Sequence, residues 1–112
     1  RPVKVMFEAE IARGAKLLDK DDPGWALENA KRPINLGRLD MANGFTCVLG
    51  QHGGDFLDEA LRLFRDSALS GVVGQATLQG FNLDSGGDYP QLTAEWRAFI
   101  LKRRKAARSK KP

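Results

Sequence analysis

The sequence predicts an all-α protein, a single compact domain of five or six helices with long helices at the N-terminus, in the middle and at the C-terminus. Its 112 residues are enough for one hydrophobic core but not for two. Apolar residues recur at helical spacing over most of the chain. Only two segments resemble strands, and an isolated pair of strands is marginally stable at best. These observations favour helices over a sheet.

The first helix is predicted from Lys4 to Asp19. Four apolar side chains fall on one face of it: Phe7, Ile11, Ala15 and Leu18. Gly14 borders this face, although glycine costs about 1 kcal/mol relative to alanine inside a helix. We interpret Gly14 as a point where a neighbouring helix approaches closely.

A break and a new start follow at Asp21-Asp22-Pro23. Aspartate suits a helix cap and proline suits the first helical position, so a short helix is predicted that buries Trp25 and ends at Pro33. Residues 34–41 lack helical phase. They are expected to form an extended connection packed against the core, with a short strand as an alternative.

Residues 45–51, Phe-Thr-Cys-Val-Leu-Gly-Gln, are ambiguous between helix and strand. Their threonine, valine and phenylalanine favour a strand. Because no second strand of sufficient length is evident, we favour a short buried helix that ends at Gly53-Gly54.

Asp55 is predicted to cap the next helix, from Phe56 to about Ala68. Its core face would hold Leu57, Ala60, Leu61 and Phe64, with Asp58, Glu59 and Arg62 facing water. Another short helix, Val72 to Gln79, would end at Gly80 in a left-handed conformation, with Phe81 as the hydrophobic contact of this cap.

The last helix is predicted to begin at Asp88, a capping residue, with Pro90 in its first turn. One face of it carries Leu92, Trp96, Phe99, Ile100 and Arg103. Beyond this face the apolar residues end and a cluster of cations begins.

The charge is divided unevenly along the chain. Residues 1–100 contain 11 Lys and Arg against 14 Asp and Glu, whereas residues 101–112 contain seven Lys and Arg and no acid. We therefore divide the chain into a globular domain, 1–100, and a basic C-terminal helical extension or tail, 101–112. This arrangement is typical of an attached arm that binds polyanions.

Several short motifs resemble a group of small proteins from actinobacteriophages and actinobacteria. The motifs are Ile11-Ala12-Arg13-Gly14-Ala15, Leu17-Leu18-Asp19, Pro23-Gly24-Trp25, Leu36, Leu39-Asp40, Cys47-Val48-Leu49-Gly50-Gln51, Gly80-Phe81, Asp88-Tyr89 and Leu92-Thr93-Ala94-Glu95-Trp96. The resemblance covers roughly residues 9–97 and implies a compact helical fold and a phage-type source. Relatives often carry a second cysteine where this chain has Phe45, so no paired thiol is implied. Because no activity is assigned to this group, the resemblance implies none for this chain.

The residues capable of catalysis or metal binding are few. Cys47 and His52 are the only thiol–base pair, and we interpret them as a buried cysteine and a surface histidine. Asp84 and Asp88 flank a glycine-rich loop that lacks the ligand pattern of a calcium site. The glycines of residues 50–54 precede a helix N-terminus, but Asp55 competes there with any bound anion. We predict no catalytic site, no cofactor and no metal, and therefore a protein that is not an enzyme.

The basic arm provides the functional prediction. Seven phosphate contacts would give a log–log salt dependence of about −5 to −6. We predict nonspecific nucleic-acid binding in the cytoplasm of a bacterial host, with no membrane association. The alternatives are a solvated tail, an acidic protein partner such as a host factor inhibited by a phage, and a virion accessory role. The candidate binding residues are Arg97, Lys102, Arg103, Arg104, Lys105, Arg108, Lys110 and Lys111.

Overall fold

The structure is a computed structural model that describes residues 6–65, 69–83 and 87–109. It contains five helices, and no strand occurs within these ranges, so the all-α prediction is confirmed. The helices are α1 (Glu8–Asp21), α2 (Val48–Gly53), α3 (Phe56–Leu63), α4 (Leu69–Leu78) and α5 (Tyr89–Ser109).

The start of α1 is set by a side chain from α5. No side chain of the α1 N-terminus caps it. Instead, the Glu95 carboxylate accepts hydrogen bonds from the backbone N–H of Met6 and of Phe7, at 3.0 and 2.8 Å. A carboxylate at this end also complements the helix dipole. The helix therefore begins at Glu8, later than the predicted Lys4, which lies outside the described residues.

The predicted short helix after Pro23 is wrong. Gly24 has φ +86°, which no right-handed helix contains, and the following residues form successive turns. The turns are closed by hydrogen bonds of the i to i−3 type, such as Leu27 N–H to the carbonyl of Gly24 at 3.0 Å. The Trp25 ring is fully buried and its Nε1 donates to Asp19 at 2.9 Å. The burial of the Trp25 ring, rather than helix propensity, therefore determines the backbone conformation of the residues after Pro23.

Residues 34–41 form a packed connection without a strand. Ile34, Leu39 and Met41 are buried, and a turn occupies residues 36–38. The next segment forms the helix that we favoured: α2 starts after Cys47, whose Sγ accepts the N–H of Gly50 at 3.3 Å, and ends at Gly54 with φ +95°.

The cap of α3 is as predicted, but its buried face is not. Asp55 accepts the N–H of Asp58 at 3.2 Å. The predicted core residues Leu57 and Leu61 are 44% and 37% exposed, whereas Glu59, expected in water, is 4% exposed. Because Glu59 forms ion pairs inside the protein, α3 is rotated so that Glu59 and Ala60 face inward. The helix ends at Leu63, and the last three residues of the longer prediction lie outside the described ranges.

The end of α4 matches the prediction closely. Gly80 has φ +79°, its N–H bonds to the carbonyl of Thr77, and the Phe81 N–H bonds to that of Ala76 at 2.8 Å. This is the Schellman pattern. The start of α4 lies at Leu69, ahead of the predicted Val72.

Trp96 of α5 is the centre of the core. Its ring stacks on Phe81 at a centroid distance of 5.6 Å and meets Trp25 and Phe99 edge-on at 6.1 and 6.0 Å. Its Nε1 donates to the carbonyl of Gly80 at 2.7 Å, so the only polar atom of the ring is satisfied. One side chain thus joins α5, the end of α4 and the turns after α1.

The prediction of a close approach at Gly14 is confirmed by the packing of α1 on the end of α4. A Cβ on Gly14 would overlap the backbone carbonyl oxygen of Gln79 and lie 2.9 Å from Cζ of Phe81. On the facing segment, a Cβ on Gly80 would lie 3.0 Å from the backbone of Glu10 and Ile11. Two glycines therefore allow the backbones to meet.

We expect Gly14→Ala to lower the free energy of unfolding by about 1–3 kcal/mol, because the added methyl group meets backbone that cannot rotate away. Gly74→Ala is the matched control. Gly74 also lies inside a helix, but a Cβ there meets nothing within 4 Å. This second substitution should stabilise by about 0.5–1 kcal/mol. Urea unfolding of both variants measures the difference, and equal effects would contradict the proposed packing constraint.

Candidate functional site

The predicted basic extension is not a separate tail over the residues that the structure describes. The last helix continues without a break to Ser109. Lys110 and Lys111 lie outside the described residues. The six other candidate cations all project from α5, and they divide into an inward-facing and an outward-facing set.

Arg97 and Arg104 face inward and bind backbone carbonyls. The Arg97 guanidinium donates to Leu36 and Leu39 at 3.2 and 3.3 Å. The Arg104 guanidinium donates to Ala26 and Ile34 at 2.9 and 2.7 Å. All four acceptors lie in the irregular segment between α1 and α2, whose carbonyls lack partners from a regular helix or sheet.

Arg103 and Arg108 form ion pairs with the globular domain. Arg103 contacts Asp19 at 2.5 Å and lies over the Phe99 ring, 4.8 Å from its centroid. The hydrogen bond from Arg103 lowers the pKa of the Asp19 carboxyl. Arg108 meets the exposed Glu28 at 3.2 Å. Four of the eight candidate residues are thus engaged inside the protein, which was not expected of a binding arm.

Lys102 and Lys105 face outward. Both are exposed, and neither has a hydrogen-bond or ion-pair partner among the described residues. The last turns of α5 therefore use guanidinium groups for internal contacts and ammonium groups for the solvent face. This agrees with the planar, forked geometry of arginine, which can bind two acceptors at once.

A loop bound to Arg104 carries two more cations. Ala26 and Ile34 both bind Arg104, so the residues between them form a loop that begins and ends at α5. Lys31 and Arg32 lie on this loop, exposed and without a partner in the part of the chain that the structure describes. Sequence reasoning missed them because they are about 70 residues from the C-terminal cluster.

The spacing of polar residues along α5 is the sequence feature that could have identified the two inward-facing arginines. Thr93, Arg97 and Arg104 recur at i, i+4 and i+11, one stripe beside the apolar face. Thr93 accepts the N–H of Met41 at 2.9 Å, so this stripe as a whole faces the irregular segment.

A groove of about 550 Å³ lies between α1 and α5. Its lining combines apolar residues with two acids near the start of α1 and two cations further along α5. The lining residues are Glu8, Ile11, Ala12, Glu95, Ala98, Phe99, Lys102, Arg103 and Ala106.

The prediction of a surface position for His52 is wrong. Its side chain is 8% exposed and lies between two carboxylates, with Nδ1 bonded to Glu59 and Nε2 to Asp22 at 2.9 Å. Because both ring nitrogens face carboxylates, neither is available to activate Cys47.

Arg62 completes this cluster. Its guanidinium binds Glu59 at 2.8 Å and Asp21 at 2.8 Å. Burial alone would raise the pKa of Glu59, but hydrogen bonds from Arg62 and His52 outweigh it and lower that pKa. The hydrogen bond from Arg62 also lowers the pKa of Asp21. Asp21, His52 and Glu59 offer three metal-ligand atoms within 4.8 Å of one another, yet Arg62 already supplies a cation to both carboxylates.

The remaining candidates have local structural roles. Cys47 is buried, as predicted, and burial raises the pKa of its thiol, which disfavours the nucleophilic thiolate. Asp88 caps α5 by accepting the N–H of Gln91 at 3.0 Å. Asp84 lies outside the described residues. The N-terminus of α3 is occupied by the carboxylate of Asp55.

In comparisons with known proteins, no family model, curated protein or solved structure matches the chain. The resemblance to small actinobacteriophage proteins therefore stays a prediction. None of the described helices combines the length and the apolar character needed to cross a bilayer.

We expect Arg104→Lys to lower the free energy of unfolding by about 1.5–3 kcal/mol, the range for hydrogen bonds of a charged group. Lysine keeps the charge but cannot reach two carbonyls as a planar fork does. The neighbouring change Lys105→Arg also keeps the charge and should stay within about 0.5 kcal/mol of the original protein. Urea unfolding distinguishes them, and an unaffected Arg104→Lys variant would contradict the bridging role.

Stability should fall in acid because of the Arg62 cluster. The ordinary pKa values are 4.5 for Glu59 and 3.8 for Asp21, and both are lowered by folding. As the pH falls through this range, the unfolded chain takes up protons first, so the folded state loses stability. Unfolding in urea at a series of pH values between neutral and strongly acidic measures this slope.

Glu59→Gln should make that acid slope shallower. Asp58→Asn, one residue away on the exposed face of α3, leaves the cluster intact and should keep the slope. If both variants retain the original slope, the ion-pair cluster is not its source.

Proposed function

We propose that the end of α5 contacts the phosphate backbone of nucleic acid without sequence preference. The observation that carries the proposal is the division of cations on this helix. Lys102 and Lys105 are exposed and unpaired within the described ranges, while the arginines of the same turns fix the helix to the domain. The lysines are thus presented on a fixed support, and ordering them on binding costs less entropy than ordering a free tail.

The local electrostatic potential also supports a polyanionic partner. Arg97 and Arg104 bind neutral carbonyls, so their charges are not cancelled by acids. The exposed Lys31 and Arg32 lie on the loop that Arg104 binds at both ends, and Glu28 of that loop is paired with Arg108. A cluster of cations attracts phosphate at long range, even from residues that make no direct contact.

The expected mode of binding is nonspecific. No Asn or Gln lies beside Lys102 and Lys105 on the outer face of α5, and such residues are common readers of base edges. Trp96 is fully buried, and Phe99 is half-buried with Arg103 over its ring, so neither ring lies on the outer face to stack on bases. On the basis of the sequence resemblance, we further propose an accessory role of phage type in a bacterial host. Independently of the resemblance, we propose a cytoplasmic location and a binding rather than an enzymatic activity.

An acidic protein surface, as would be met by a host-directed inhibitor or a virion accessory protein, is the second candidate. The position of Leu101 favours an acidic protein partner. This residue is 39% exposed and lies on the same outer face as Lys102 and Lys105. An apolar side chain between cations gains from burial in a protein interface but little from a phosphate backbone.

Salt dependence tests the first proposal. If Lys102, Lys105, Lys110 and Lys111 each neutralise one phosphate, the log–log slope of affinity against salt should be about −3 to −4. The double variant Lys102→Gln/Lys105→Gln should make this slope shallower by about 2. Fluorescence anisotropy with labelled duplexes of unrelated sequence measures both values.

The matched control is Lys16→Gln/Lys20→Gln, which removes two exposed lysines from α1. It should leave the slope unchanged. Absence of binding at low salt, or equal slopes for the two double variants, would refute the nucleic-acid proposal. Leu101→Gln separates the candidates: it should not affect duplex binding but should weaken a nuclease-resistant complex with an acidic protein.

A further inference from the structure

We propose that the groove between α1 and α5 binds an amphipathic helix of a partner protein, with the N-terminus of that helix at Glu8 and its C-terminus at Lys102. The groove shares Lys102 with the outer lysine face, but the inference does not depend on nucleic-acid binding. It rests on the shape, the lining and the charge distribution of the groove.

The dimensions of the groove suit a short helix. Along α5 its wall runs from Glu95 to Ala106, a rise of roughly 16 Å, which equals about three helical turns. Phe99 provides partly exposed apolar surface and Ile11 a buried contact, while Ala12 and Ala98 are small and exposed on opposite walls. Small residues on both sides allow another helix to approach closely.

The chemistry of the walls favours a helix over an extended peptide. Both walls are helices, whose backbone N–H and C=O groups are already bonded within the helix. An extended peptide would find few backbone partners in the apolar middle of the groove and would leave its own polar groups unsatisfied. A helix satisfies these groups internally and needs to offer only an apolar face.

The charges fix the direction of the bound helix. Glu8 and Glu95 line the groove near the start of α1, whereas Lys102 and Arg103 line it about two turns further along α5, with Ala106 beyond them. Arg103 and Glu95 are bonded within the protein, whereas Glu8 and Lys102 are exposed and have no partner among the described residues. The positive N-terminal end of a helix dipole is therefore favoured at Glu8, and the negative C-terminal end at Lys102.

The test uses the full chain and a labelled, end-capped helical peptide of about 14 residues. Leucines at i, i+4, i+7 and i+11 form its apolar face, with Lys in the first turn and Glu in the last. A second peptide exchanges the Lys and Glu. Anisotropy titration should show saturable binding of the first peptide, with the second about two- to fivefold weaker, as expected for exposed charge pairs.

Variants of the protein locate the binding site. Ala98→Gln places a longer side chain in the groove and should weaken binding at least fivefold. Ala94→Gln, one turn earlier on the exposed face and outside the groove lining, should leave binding unchanged. Lys102→Glu should remove or invert the preference between the two peptides.

Three outcomes would overturn the proposal. One is no saturable binding of either peptide up to about 1 mM. Another is an equal effect of Ala98→Gln and Ala94→Gln. The third is evidence that something other than a partner helix occupies the groove. Residues 1–5 would be the occupant if peptide binding appears only after their removal. A second copy of the protein would be the occupant if sedimentation shows a dimer that Ala98→Gln dissociates.

Discussion

The structure depends on how the backbone N–H and C=O groups of the irregular segment between α1 and α2 find hydrogen-bond partners. Residues 22–47 form no regular helix or strand, although several of their side chains are buried in the core, so their backbone polar groups must find partners elsewhere. One stripe of α5 supplies many of these partners: Thr93 accepts from the backbone, and Arg97 and Arg104 together donate to four carbonyls. From the opposite side, Gln51 of α2 accepts the N–H of Asn35 and donates to the carbonyls of Asn35 and Thr46. The terminal helix is therefore part of the fold to its last turns.

This constraint explains why the cations at the basic end of the chain divide into two sets. Guanidinium groups are suited to bind two acceptors in a fixed plane, and they hold the loop that closes at Arg104. Ammonium groups remain on the solvent face, where they can meet a partner. The same helix also forms one wall of the groove, so its inner, outer and lateral faces carry different interactions.

Local features of the fold could be predicted from the sequence because local chemistry determines them. The caps at Asp55, Gly80 and Asp88 each depend on residues within one helical turn. Features set by distant residues could not be predicted in this way. The chain forms turns around Trp25 instead of the expected helix, because the Trp25 ring bonds to Asp19 and packs against Trp96. Likewise, α3 is oriented with Glu59 facing the interior because Glu59 pairs with His52 and Arg62. The periodicity of apolar residues does not encode that pairing.

The division between arginine and lysine on α5 has a chemical consequence. Acylation acts on primary amines and removes their charge, whereas it leaves guanidinium groups intact at neutral pH. Acetylation of Lys102 and Lys105 would therefore discharge the outer face of α5, while the bonds of Arg97 and Arg104 to the irregular segment remain. The surface charge of this protein can thus be varied independently of its fold.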